Sequence, residues 1–245
     1  MTKLDNGIEL IALDMDGTVT QHKSEIENGN FEALKEIGKR FPVVVVGAGS
    51  CKRIQSQLKH LPVDVIGYYG MEYSKYDKEK REFILVEQNK VAVHDREAIL
   101  QKAEFLRSRF GYDHYQGNSI EFHESGVVTF PLLGSAARLS DKLAFDPSRA
   151  KRRTMYKDVC EAFIEYTTFI GGSSSFDLVP KPYNKLYALR NYCSRNGYSL
   201  DKTLYFGDDY EVGGNDWHIF NSSVESIIID NYQNFREISK SILSI

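Results

Sequence analysis

Apolar residues near the start of the chain fall in short, nearly unbroken runs. Ile8 to Leu13 has five apolar residues in six, interrupted by Glu9, which leaves too little polar surface for an amphipathic helix and suits a strand buried on both faces. Val43 to Val46 and Val63 to Tyr69 read the same way. Between the first two runs, Phe31, Leu34 and Ile37 recur at helical spacing, with Asn30 as the expected N-cap and an end near Arg40. Strand, helix, strand implies a right-handed parallel crossover. A second helix with Ile54 and Leu58 inward follows Gly47-Ala48-Gly49-Ser50, whose backbone N–H groups suit a phosphate.

The pattern changes beyond Gly70-Met71-Glu72, read as a turn. Tyr73 to Arg81 is polar, and from about Phe83 long helices and short two-sided strands replace the alternation. His94 to Phe110 is expected to be helical, and Ile120 to His123 with Val127 to Phe130 to form a hairpin around Glu124-Ser125-Gly126. A helix over Arg149 to Tyr166 and a second hairpin, Thr168 to Ile170 with Ser175 to Val179, complete this stretch. Lys185 then opens an amphipathic helix that stops at Asn196-Gly197. Thr203 to Phe206 and Val224 to Ile229 are further strands, and Phe235 to Leu243 is a closing helix. The fold class is therefore α/β, a Rossmann-like parallel-sheet core over 1–82 and 185–245 with an inserted α+β domain over 83–184.

Composition narrows the function classes. The 245 residues are 42% hydrophobic and 27% charged with a formal net charge of −3, ordinary for a globular protein and without general attraction to nucleic acid. No apolar run approaches the roughly 20 residues that span a bilayer, and the first residues lack a secretory pattern, so a cytoplasmic location is expected. Cys51, Cys160 and Cys193 are odd in number and widely spaced, which argues against a disulfide framework or a paired-ligand zinc site. The six histidines lack metal-ligand spacing.

The candidate chemistry lies at the carboxyl ends of the predicted strands, where open α/β sheets bind ligands. Asp14-Met15-Asp16-Gly17-Thr18 sets two carboxylates two positions apart before a turn, and Gly207-Asp208-Asp209 repeats an acid after a later strand. Crowded carboxylates need a cation. A carboxylate attacks an anionic phosphoryl group only where charge repulsion is relieved, and magnesium, hard and oxygen-seeking, suits such a loop.

The DxDGT pattern, with Lys185, Asp208 and Asp216 following in order, resembles the haloacid dehalogenase superfamily. GGSSSFDLVPKPYNKLYAL (Gly171 to Leu189) and FGDDYEVGGNDWHIF (Phe206 to Phe220) are similar to eukaryotic-type phosphomannomutases, which carry a type IIB cap. The resemblance implies Asp14 as nucleophile, Asp16 as acid and base, and Lys185 as neutralising cation. It further implies magnesium on Asp14, Asp16 (through its backbone carbonyl) and Asp208, with Asn215 and Asp216 behind them. Thr18 and Ser50 would bind phosphate, though Ser50 reads equally well as a helix N-cap. Ser175, Asp177 and Lys23 would meet the substrate.

One departure bears on the reaction. Where phosphomannomutases carry arginines for the non-reacting phosphate, this chain has FHESGVVTFPLLGSAARL, with Glu124 and Ser135 at two of those positions. Arg138 or Lys142 could substitute, but as simple surface charges they need no such role, and Arg149 to Arg153 reads as a solvated helix face. An acid opposes a phosphate dianion, so the sequence favours a magnesium-dependent phosphatase acting on a small phosphorylated metabolite, a sugar phosphate above all. A hexose-phosphate mutase is the alternative, and a non-catalytic module binding a sugar phosphate or a protein is the second. Neither nucleic acid nor membrane is an expected partner, and the resemblance implies a monomer or a cap-mediated homodimer.

Overall fold

A computed structural model of the chain describes residues 7–22 and 24–244. The chain divides into two compact units, one of residues 1–89, 184–211 and 216–245, the other of 90–183 and 212–215.

The first unit is built on a seven-stranded sheet. Its strands in chain order are β1 (Leu10–Leu13), β2 (Val43–Val46), β3 (Asp64–Gly67), β4 (Glu72–Asp77), β5 (Glu82–Gln88), β10 (Thr203–Gly207) and β11 (Glu225–Ile228). Their spatial order is β11-β10-β1-β2-β3-β4-β5. The first five in that order are parallel, and β4 and β5 are antiparallel.

Helices cover both faces because alternate side chains of the central strands point to opposite sides. Ile11, Leu13, Val43 and Val45 pack with Leu34 and Ile37 of α1 (Asn28–Arg40), Ile54 of α2 (Cys51–Gln57) and Phe235 of α8 (Phe235–Leu243). Leu10, Ala12, Val44 and Val46 pack with Ala188, Leu189 and Tyr192 of α6 (Lys185–Asn196) and Ile219 of α7 (Trp217–Phe220). Every residue of β1 and β2 is buried, as strands without a polar face require.

Several expected boundaries move. The helix expected to begin after Asn30 is capped instead by Glu27. Asn30 lies inside α1 and buried, its Nδ2 donating to the carbonyls of Val19 (2.9 Å) and Tyr232 (2.7 Å), so it ties two loops together. The polar stretch after residue 72 is a strand: β4 and β5 form a hairpin at the sheet edge, where exposed polar residues are tolerated. The break expected after residue 82 thus falls at the start of a core strand, and the chain enters the second unit at Lys90.

The second unit carries an antiparallel sheet of β6 (Glu121–Phe122), β7 (Val128–Pro131), β9 (Ser175–Pro180) and β8 (Tyr166–Phe169), in that spatial order. Its core joins Ile99, Ala103 and Leu106 of α3 (Arg96–Phe110) and Met155 and Val159 of α5 (Ala150–Ala162) to Val128, Phe130, Phe176 and Leu178 of the sheet. The helix expected to reach Tyr166 stops at Ala162 because Tyr166 begins β8. A short helix, α4 (Leu139–Phe145), was not anticipated, and none of its residues is buried.

The basic run from Arg149 to Arg153 is not a uniformly solvated face. Arg152 is buried and donates to Asp146 Oδ2 (2.9 Å) and the carbonyls of Gly171 (2.7 Å), Gly172 (3.0 Å) and Ser175 (3.2 Å), knitting the loop before β9 to α5.

Candidate active site

Strand register brings the first two acids together. Leu13 of β1 pairs with Phe206 of β10 in parallel, and the Asp14 N–H donates to the Phe206 carbonyl at 2.9 Å. Asp14 and Asp208 thus leave neighbouring strands side by side at their carboxyl ends. The buried Thr18 hydroxyl lies 3.2 Å from Asp14 Oδ2 and 3.0 Å from Asp208 Oδ1, bridging the two. Gly17, at φ +106°, permits this approach: a Cβ there would stand 2.6 Å from Asp208 Oδ2 and suffer a backbone conformation unfavourable to other residues.

Lys185, the first residue of α6, has no exposed surface, and its Nζ donates to Asp14 Oδ1 and to Asp216 Oδ1, the latter at 2.7 Å. Asp216 is held in turn by the Tyr205 hydroxyl on Oδ1 and the Asp209 N–H on Oδ2 at 3.1 Å. One carboxylate oxygen from each of Asp14, Asp208 and Asp216 lies within 4.8 Å of the other two.

The electrostatics of this group are one-sided. Burial pushes the Asp14 carboxyl well above its usual range; Lys185 opposes that rise, and Asp216 and Asp208 add to it. Burial disfavours the Lys185 cation, but Asp14 and Asp216 more than offset this and hold its pKa above that of an ordinary lysine. Three carboxylates gather around one ammonium, so these four groups together carry net negative charge when all are ionised. Buried charge needs a partner. The cluster's donors are all oxygen, with no nitrogen or sulfur, so a hard divalent cation such as magnesium fits both the charge and the donor chemistry.

Asp16 faces elsewhere. Its carboxylate accepts from Arg53 Nη2 (3.1 Å) and Gln57 Nε2 (3.2 Å), outside the three-carboxylate group. Asp216, expected behind the metal ligands, lies within the oxygen cluster, although three donors already occupy it.

The remaining expected residues are distributed as follows. Ser50 Oγ accepts the Arg53 N–H at 3.2 Å and caps α2. Ser175 and Asp177 are both half-buried on β9; Ser175 Oγ donates to the Gly171 carbonyl (3.1 Å), and Thr129 Oγ1 donates to Asp177 Oδ1 (3.3 Å). Asn215 belongs to the second unit, and Lys23 lies outside the described residues. Glu124 is exposed beside Lys90 at 3.2 Å, the Ser135 hydroxyl accepts the Asn118 N–H at 2.9 Å, and Lys142 Nζ donates to the Ser135 carbonyl at 2.9 Å. Arg138 is exposed and paired with Asp141 at 3.0 Å.

Three participants escape sequence reasoning: Tyr205, Arg53 and Gln57. Tyr205 sits in an apolar strand, where a tyrosine reads as core. Arg53 and Gln57 sit four apart on one helix, a spacing that puts both side chains on one face.

The family profile described as Eukaryotic phosphomannomutase matches residues 31–243. A protein named probable phosphomannomutase from Caenorhabditis elegans is 28% identical over 233 residues, covering 90% of this chain and 89% of its own. The phosphomannomutase of Schizosaccharomyces pombe is 27% identical over 232 residues, with 86% and 84% covered. Among solved structures, an N-terminally truncated IMP-nucleotidase from Plasmodium falciparum has a TM-score of 0.72 at 18% identity, covering 98% of this chain and 71% of that one. A haloacid dehalogenase-like hydrolase from Bacteroides thetaiotaomicron has a TM-score of 0.56 at 15% identity, covering 96% and 98%. These two share the fold. The extent of the profile match carries the stronger conclusion: the chain belongs to the eukaryotic phosphomannomutase family of haloacid dehalogenase-fold enzymes.

Proposed function

We propose that the protein is a hexose-phosphate mutase that moves a phosphoryl group between positions of a phosphorylated sugar by way of Asp14. The observation carrying the chemistry is the buried Asp14 carboxylate at the end of β1, flanked by Lys185 and Asp208. Membership of the phosphomannomutase family favours mutase over hydrolase, reversing the order that the sequence departures alone support.

Asp14 and Asp208, with the backbone carbonyl of Asp16, would hold magnesium. Bound there, the ion supplies charge neutralisation and in-line orientation for phosphoryl transfer. An Asp14 oxygen forms a bond to phosphorus as the phosphorus–oxygen bond to the sugar breaks, and the departing sugar oxygen takes a proton from Asp16. Transfer of that phosphoryl group from Asp14 to the free hydroxyl of a hexose monophosphate, whose proton passes to Asp16, gives a hexose bisphosphate, and return of its other phosphoryl group to Asp14 releases the isomeric monophosphate. Lys185 offsets charge on the phosphoryl oxygens, while Tyr205 and the Asp209 N–H keep Asp216 aimed at Lys185. Thr18 aligns the two metal-holding carboxylates. In the inserted unit, proposed as a specificity-setting cap, Ser175 and Asp177 are assigned to sugar hydroxyls.

A specific observation keeps hydrolysis as the second reading. Glu124, where the sequence resemblance puts an arginine for a mutase's second phosphate, is an exposed acid beside Lys90, and the Ser135 hydroxyl is already used within its own loop. Phosphorus NMR of mannose 1-phosphate incubated with the protein and magnesium separates the two. The expected result is mannose 6-phosphate ahead of inorganic phosphate. Phosphate release without interconversion would mean a phosphatase. Absence of both, with wild type and Asp14→Asn alike, would leave a binding module.

A further inference from the structure

Arg53 carries an unused donor beside the candidate site. Its side chain is 34% exposed, with Nη2 on Asp16 at 3.1 Å, yet its Nη1 is buried and has no hydrogen-bond partner among the described residues. Gln57, which also binds Asp16, has a buried Oε1 in the same condition. A buried guanidinium nitrogen left unpaired costs free energy unless something arrives to accept from it. The guanidinium also lies across Gly49, just beyond β2: a Cβ built there would overlap Nε, Nη2 and Cζ of Arg53. Glycine at 49 therefore leaves this cation its place at the carboxyl end of the sheet, one strand from Asp14.

We infer that Arg53 binds the transferring phosphoryl group, its Nη1 donating to a non-bridging oxygen while Nη2 keeps Asp16 in reach of the sugar oxygen. The inference rests on the proposed transfer through Asp14. If Asp16 exchanges a proton with the oxygen bonded to phosphorus, that oxygen lies within hydrogen-bond reach of Asp16, and its phosphoryl group is then close to the guanidinium already bound there. A planar guanidinium suits this double duty because its donors sit in a fixed fork that can join two oxyanions.

The test is calorimetric titration of inorganic phosphate, with magnesium, into the full chain and into Arg53→Ala, Arg53→Lys and Gly49→Ala. Loss of one charge-assisted hydrogen bond corresponds to a roughly 10- to 100-fold weaker affinity. Arg53→Ala should lose about that much, with KM rising by a similar factor, and Arg53→Lys should recover part of it. Gly49→Ala, which displaces an intact arginine, should weaken phosphate in the same direction. It carries the test if the thermal melt of Arg53→Ala reveals misfolding. A residue that merely steadied Asp16 would lower kcat and leave phosphate affinity alone. Unchanged affinity in the folded variants, or no phosphate binding by wild type, overturns the assignment. Phosphate binding that depends on Arg53 in a protein that fails to transfer phosphoryl groups would instead sink the proposed function and leave the anion site standing.

Discussion

At the scale of single residues, the site is organised by Lys185, the ammonium fastened to Asp14 and Asp216 with no access to solvent. Removing one partner from a buried ion pair strands the other charge and typically costs about 3–5 kcal/mol. Lys185→Met should therefore lower unfolding free energy by about that amount in urea with chelator present, and magnesium should restore part of the loss by meeting the same carboxylates. A variant as stable as wild type with chelator would refute the charge balance described for this cluster. Asp14 and Asp208, which the structure brings together, were legible because each follows a recognisable strand end, and Lys185 because the motif order resembles that of a known superfamily. The direction of a side chain was not: spacing assigns Asp16 to the acidic loop but does not reveal that Arg53 and Gln57 draw its carboxylate aside. Tyr205 was hidden for a related reason, since only the buried Asp216 beneath it distinguishes its hydroxyl from that of any core tyrosine.

At the scale of elements, the runs with unambiguous period and punctuation match their expected ends. Residues 235–243 form α8, and α6 stops where Gly197 takes the left-handed conformation of a helix C-cap. The β4–β5 hairpin was hidden because an edge ribbon exposes polar residues, so the run from Tyr73 to Arg81 imitates a linker. Arg152 was misread because its neighbours in the basic run are mostly exposed, and only the carbonyls gathered around it reveal its role. Its partner Asp146 makes the loop sensitive to acid. Burial would raise the Asp146 carboxyl, but hydrogen bonds from the Arg152 side chain and from the N–H groups of Arg152 and Lys151 hold it below the ordinary value. A folded pKa below the unfolded one contributes stability above the unfolded value of about 3.9, and that contribution is lost as pH falls through the folded value. Urea unfolding from pH 6 down to pH 3 should thus decline more steeply for wild type than for Asp146→Asn. Equal slopes would contradict the assignment.

At the scale of the whole molecule, the division of labour follows from chain order. The core contributes acids from Asp14 near its start and from Asp208 and Asp216 near its end, joined by the β1–β10 pairing, while an α+β unit is inserted between them. The core plan could be read from sequence because parallel strands buried on both faces advertise themselves as apolar runs. The inserted unit is harder to read, since short two-sided strands and loop-borne polar residues carry little periodic signal. No helix among the described residues is long and apolar enough to cross a membrane. The central claim is that Asp14 itself accepts phosphorus, and acid-quenched peptide mass mapping after brief incubation with mannose 1-phosphate and magnesium tests it most directly. The expected result is one phosphoryl group on the peptide containing Asp14, absent with chelator and absent in Asp14→Asn. A phosphoryl group on a different residue, or sustained turnover by Asp14→Asn, would contradict it.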